Sequence, residues 1–197
     1  MTEDDFWNII ELTRSESQSD QVAKLTSQLQ QQEAEQILAF HIIYDIVHGK
    51  ANRTNLAAAA NLINDGISDD GFDSFRDWLI AQGRTIFQAA LADPDSLADV
   101  ISSEGIEFEH MKSVAYDVYE AKFGGDLYDA LDHYDHQSRE GDEDNFDEHE
   151  VDDVNELDEN ELKSQFPHLF EVVNRIRTDW PLGWLEKLML WVQSVRQ

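Results

Sequence analysis

An all-α fold, a single globular multi-helix domain with an acidic and partly flexible insertion ahead of its C-terminal helices, follows from three features of the 197 residues. Apolar residues recur at helical spacing along nearly the whole chain, strand-like alternation is scarce, and only three prolines interrupt the pattern. A hydrophobic share of 41% with five tryptophans is too much apolar surface for a disordered chain, even at a net charge of −28. The length suits one domain with a decorated end and is enough to bury a substantial core.

The first helix is predicted from Thr2-Glu3-Asp4-Asp5. A threonine oxygen takes a free backbone N–H, acids suit the positive helix end, and Phe6, Trp7, Ile9 and Ile10 follow, carrying the helix to about Thr13. A polar helix over about Asp20 to Gln32 comes next, then a stronger one from Glu33 to His48 in which Ile37, Phe40, Tyr44 and Val47 repeat at core-facing spacing. Gly49 is expected to end it. Asn55 to Asn64 holds Leu56, four alanines and Leu62-Ile63, small enough for close helix approach, and reads as a buried central helix.

Ser68-Asp69-Asp70-Gly71-Phe72 opens the next helix, with Ser68 as cap, the two aspartates in the first turn and Phe72, Phe75 and Leu79 as the buried stripe. Gly83 is expected to close it in a left-handed conformation, and Asp93-Pro94 reads as a cap followed by proline in the first helical turn. The run from Ser68 to Phe72, then Phe75-Arg76, Trp78-Leu79-Ile80, Gly83-Arg84, Phe87, Ala90-Leu91 and Asp93-Pro94-Asp95-Ser96-Leu97-Ala98-Asp99, resembles the core signature of the bacterial family called domain of unknown function 4240. Phe6-Trp7 with Ile10, and a helix over Met111 to Tyr119, sit where that family has similar elements. The resemblance covers roughly residues 1 to 130 and implies a family without implying an activity. Ser74 stands where the family commonly has an aromatic, and the chain continues past the shared core.

Residues 1–130 therefore form the expected helical core, 131–160 an acidic linker or loop, and 161–197 C-terminal helices that pack on the core. From Asp132 to Lys163 there are 15 acidic against 2 basic residues, and the stretch centred on Arg139 to Asp153 reads as a solvated loop. Leu162, Phe166, Leu169, Phe170, Val173 and Ile176 then resume a helical face, with Asp158 or Asn160 available as cap. Trp180-Pro181-Leu182-Gly183 reads as a turn, and Trp184 to Val195 as a last helix broad enough in apolar width to dock on the core or to allow a homo-oligomer.

Asp69, Asp70, Arg76, Trp78 and Arg84 are the candidate ligand- or partner-binding residues. The aspartates either cap the helix or act as base or metal ligand, the arginines either form internal pairs, as Arg76 with Asp73 one turn away, or hold an anion, and Trp78 belongs to the core or forms a stacking platform. Convergence of Asp69, Asp70, Arg76 and Arg84 in a pocket would mark an enzyme or small-ligand site; helix-cap geometry without a cavity would argue against one. His41, Asp45 and His48, at i, i+4 and i+7, are weak metal candidates on what reads as a boundary face of their helix. His133 and His136 repeat the pattern among Asp129, Asp132 and Asp135, while Asp142 to Asp153 lacks the central glycine and ligand order of a calcium loop.

No catalytic residue and no cofactor is assigned, because phosphate loops, dinucleotide fingerprints, His-Glu-x-x-His and serine-elbow motifs are all missing from the sequence. With no cysteine there is neither a disulfide nor a thiolate site. The chain lacks a run of ~20 apolar residues and starts without signal-peptide features, so a cytoplasmic protein is expected. With 42 acidic against 14 basic residues it should repel nucleic acid and anionic membranes and attract a basic protein. The leading expectation is a non-enzymatic interaction protein of the inhibitor or immunity type, conceivably a charge mimic. An enzyme or ligand-binding protein using the aspartate–arginine block, and a structural protein whose acidity only confers solubility, are the alternatives.

Overall fold

Capping chemistry starts the helices. Thr2 accepts from Asp5 N at 3.2 Å while Asp5 accepts from Thr2 N at 2.8 Å, a reciprocal box that begins α1 (Glu3–Thr13). Ser17 caps α2 (Gln18–Leu29), and α3 (Ala34–Lys50) and α4 (Thr54–Asn64) follow. Ser68 Oγ accepts from Gly71 N at 3.1 Å at the start of α5 (Asp69–Ala81), with α6 (Arg84–Ala92) next. Asp93 accepts from Asp95 N at 3.1 Å and caps a 3-10 helix (Pro94–Asp99). α7 (Val114–Phe123), α8 (Leu127–Ser138), α9 (Glu159–Gln165) and α10 (Pro167–Asp179) complete the order. This computed structural model describes residues 1–102, 106, 108, 110–138, 154 and 157–179, with 135–138 and 179 described as backbone. Every regular element among the described residues is helical, and the protein is all-α.

The core gathers around α3 and α4. Phe6 lies 4.9 Å from Phe40 and 5.1 Å from Trp7, whose ring reaches Phe87 at 5.2 Å, so α1, α3 and α6 share one aromatic cluster. α3 packs against α1, α5, α7 and α8. Leu56 and the four alanines of α4 are all buried, and the missing side-chain bulk lets α5, α9, α10 and the 3-10 helix close on it. The buried central helix expected over this stretch is present.

Several boundaries differ from the sequence reading for local reasons. Gly49 remains within α3, which runs on to Lys50 with Ala51 as its cap. A glycine permits left-handed closure without imposing it, and buried Val47, His48 and Ala51 keep this last turn helical. α8 extends to Ser138, into the segment expected to be linker. The 162–176 face is split into α9 and α10 because Pro167 starts a new helix; Asp158 is the cap, in a reciprocal box with Glu161. The acidic stretch from Arg139 to Asp153, the turn at Trp180 and the helix from Trp184 to Val195 lie outside the described residues.

Gly83 has φ +90° and ψ 168°, positive as expected but extended rather than left-handed helical, and it serves as the N-cap of α6. A second requirement falls on the same position: a Cβ there would lie 2.3 Å from Glu11 Oε1, the oxygen that accepts from Arg84 N at 3.2 Å. Gly83→Ala is therefore expected to cost about 2 kcal/mol, combining a glycine-only backbone region with displacement of the α1 carboxylate. Urea unfolding of the variant checks this, and an unchanged midpoint would refute the constraint.

Candidate functional site

The candidate block along α5 is dispersed. Asp69 and Asp70 are exposed in the first turn beside the Ser68 cap. Arg76, one face down, pairs with Asp73 as expected and lies over the Phe72 ring at 5.1 Å, with its Nε buried and without a hydrogen-bond partner among protein atoms. Trp78 is 6% exposed and stacks on Phe75 at 5.8 Å, so it is a core side chain. Arg84 turns to α1, where its guanidinium meets Asp4 Oδ1 at 2.5 Å. The four polar residues face separate partners and do not converge. An open cleft of about 640 Å³ lies elsewhere, between α2 and the segment entering α7, lined by Ser17, Val22, Thr26, Phe108, His110 and Ser113.

The His41–Asp45–His48 stripe is a boundary face at Asp45, whose side chain is 40% exposed, but not at the two histidines. His41 is 2% and His48 5% exposed, because α5 covers one side of α3 and α7 with α8 covers the other. The two imidazoles also diverge. His48 faces α5, with Nε2 at 3.3 Å from Asp77 Oδ1 and 3.4 Å from the Asp73 carbonyl, while Tyr44 donates to the same Asp77 oxygen at 2.7 Å. His41 faces α8, its ring edge-on to Tyr128 at 5.6 Å. Its Nε2 stands 3.3 Å from Asp45 Oδ2 but off hydrogen-bond geometry, both ring nitrogens are buried without hydrogen-bond partners, and Asp45 Oδ1 faces Lys112 Nζ at 3.8 Å. Among the described residues no three histidines or carboxylates are grouped to hold a metal. His133 Nδ1 pairs with the Asp129 carbonyl at 2.8 Å, and the His136 side chain lies outside the description.

Asp77 is the polar residue that sequence reasoning missed. Burial raises its carboxyl to about 6, with Tyr44's hydrogen bond and Lys112's charge pulling the other way. Burial, reinforced by the Arg76 and Lys112 charges, lowers His48 to about 4. When Asp77 is ionised, His48 is therefore neutral, so the 3.3 Å contact is not an ion pair: Tyr44 hydrogen-bonds Asp77, His48 hydrogen-bonds the Asp73 carbonyl, and the three side chains form a packed triad. Tyr44's own hydroxyl is pushed well up by burial and by Asp77. A signal was present: the run from Trp78 to Ala81 is apolar on all sides, so the second half of α5 is enclosed and an aspartate there must face protein.

Comparison with known proteins places these residues in context. The family described as "Protein of unknown function (DUF4240)" matches residues 1–121. The chain belongs to this family. No curated protein and no solved structure matches it. The family segment contains α1 to α6, the 3-10 helix and most of α7, so it includes the Tyr44–Asp77–His48 triad and the Arg84–Asp4 pair. α8, α9 and α10 fall beyond it. The chain beyond the family segment is nevertheless tied to its core: Asn61 Nδ2 donates to the carbonyl of Val154, ahead of α9, at 2.9 Å, and Arg177 of α10 to the Leu62 carbonyl at 2.8 Å. No helix among the described residues is long and apolar enough to cross a membrane.

Proposed function

We propose that this DUF4240 protein is an acidic, non-enzymatic interaction module that engages a basic protein, as an inhibitor or immunity-type protein does, with carboxylates offered in the manner of nucleic-acid phosphates. One observation carries the reading: nearly all lysines and arginines among the described residues are engaged within the fold, while the acids outnumber them threefold along the chain. Lys50 meets Glu3 at 3.0 Å, Arg14 meets Glu11 at 3.3 Å, and Arg177 meets Asp65 at 3.5 Å. Lys24 donates to the Arg14 carbonyl at 3.3 Å and Arg53 to the Leu91 carbonyl at 3.2 Å. What is left facing solvent is mostly negative. Against the rival reading of Asp69, Asp70, Arg76 and Arg84 as a joint enzymatic or ligand site stands their dispersal: Arg76 pairs with Asp73 and Arg84 with Asp4, while Asp69 and Asp70 are exposed at the start of α5.

The test is capture from the native host at low salt, followed by purification of any basic protein recovered in stoichiometric amount and measurement of its affinity across salt concentrations. The affinity is expected to fall about 100-fold or more between roughly 50 and 200 mM salt. Recovery of no basic protein, or an affinity indifferent to salt, overturns the proposal.

A further inference from the structure

We infer that the corner where α7 and α8 meet α3 is the docking surface for an arginine side chain of a protein partner, with Tyr128 and Tyr116 as the stacking platform and Glu120 and Asp126 as the acidic rim. This inference rests on the basic-partner reading and locates its contact. Exposed aromatics are the first observation. Tyr128 is 55% exposed, one of the three large hydrophobic side chains exposed among the described residues, and Tyr116, half-buried, lies 5.8 Å from it. An aromatic cluster open to water within a polar rim is a feature of interaction sites.

The sign of the surroundings selects the partner. Asp126 takes the backbone N–H of Tyr128 at 2.7 Å and faces the Tyr116 hydroxyl at 3.5 Å, so the helix cap holds a carboxylate beside both rings. Glu120 and then Asp126 raise the Tyr116 hydroxyl, a direct sign of a negative local field. The neighbouring cations do not cancel it. Lys122 is drawn to the Gln30 carbonyl at 3.0 Å and to that of Gln32, and Lys112 pairs with Asp45 Oδ1 at 3.8 Å rather than with Glu120 or Asp126. A cation over a tyrosine face flanked by carboxylates is favoured both by the ring quadrupole and by charge.

A third observation favours arginine over lysine. Beneath Tyr128 lies His41, 2% exposed, with both ring nitrogens lacking a hydrogen-bond partner. His41 is held toward its neutral form by burial and by Lys112, against the opposing pull of Asp45, so the imidazole supplies one acceptor nitrogen that lacks a donor. A guanidinium brings five donors and a flat face, which suits stacking on the tyrosines while its edge donates to the carboxylates beside them and to the acceptor at their margin. Lysine brings neither the plane nor the fork.

The experiment titrates the full-length, isotopically labelled protein with an oligo-arginine peptide and with oligo-lysine, reading amide shifts and affinity. Shifts are expected to concentrate at residues 41–45, 112–120 and 126–132, with arginine binding the tighter. The double variant Tyr116→Ala with Tyr128→Ala should weaken oligo-arginine binding about tenfold, the loss of one good cation–aromatic contact. Asp69→Asn with Asp70→Asn, which removes equal or greater charge at the far end of α5, should leave it within about twofold. Tyr128→Phe, which keeps the ring, should bind as the unmodified protein does. Salt-sensitive binding that ignores the tyrosine variants and spreads over every acidic helix would overturn this surface while sparing the basic-partner reading. Failure of both peptides to bind at low salt would overturn both. A self-association abolished by the tyrosine variants would show a second copy of the chain as occupant and overturn the arginine assignment.

Discussion

Asp95→Ala is expected to cost about 3 kcal/mol of stability and to release α10 from the core. Pro167 begins that helix, and Phe166 before it has no side-chain oxygen with which to cap the free N–H groups. Asp95 supplies the cap from the 3-10 helix instead. Its Oδ1 accepts from Leu169 N at 2.8 Å and its Oδ2 from His168 N at 3.2 Å and His168 Nδ1 at 2.8 Å, with the aspartate 8% exposed. A negative charge at a helix N-terminus, accepting backbone N–H groups in a shielded position, combines capping and dipole stabilisation at roughly 1–2 kcal/mol each, and removing it also strands the donors. Asp95→Asn keeps one acceptor oxygen and should cost about half as much. His168→Ala should cost about 0.5 kcal/mol, because its ring is 81% exposed. Urea unfolding with hydrogen exchange across 167–179 reads all three, and an Asp95→Ala protein whose α10 amides stay as protected as before would refute the tertiary cap.

That contact crosses a boundary the sequence could not reveal. Asp95 belongs to the family segment and its partners in α10 do not, and nothing local to Asp93-Pro94-Asp95 indicates a partner more than seventy residues away. Local chemistry was legible where it is self-contained. Thr2, Ser68, Asp93 and Asp158 cap the helices their own neighbourhoods call for, Arg76 finds Asp73 one turn away, and the alanines of α4 declare a close-packed centre. Arg84 and the His41–Asp45–His48 stripe were identified as polar features of note without their partners. Which carboxylate Arg84 meets depends on α1 lying against the start of α6, and whether His41 is buried depends on α8 covering α3. The periodicity of a helix tells which residues share a face, but only the packing of other helices decides what that face meets. The exposed aromatic corner escaped notice for the same reason, since Tyr116 and Tyr128 come together through the turn between α7 and α8.

The Tyr44–Asp77–His48 triad should reveal itself as two opposing pH dependences that nearly cancel in the unmodified protein. Asp77, raised from 3.8 to about 6, contributes stability that is fully present below about 3.8 and is lost as pH rises through about 6. His48, lowered from 6.5 to about 4, contributes stability that is present above about 6.5 and is lost as pH falls through about 4. Each shift corresponds to about 3 kcal/mol at full development, and the two act in opposite directions over the same interval. Asp77→Asn keeps an acceptor for Tyr44 and removes the aspartate's contribution, so its stability relative to the unmodified protein should fall by up to about 3 kcal/mol as pH drops from about 6.5 to 4. His48→Gln removes the opposing contribution, and its relative stability should rise over the same interval by a similar amount. Taking differences between proteins at each pH cancels the titration of the many surface carboxylates, which all three share. Denaturant unfolding across this range therefore isolates the triad. Difference curves that are flat, or that slope in the same direction, would mean that Asp77 and His48 do not both resist charging in the folded protein. Opposite slopes would explain how the family core encloses an aspartate and a histidine side by side with little net change in stability between about pH 4 and 6.5, because the gain from one titration offsets the loss from the other.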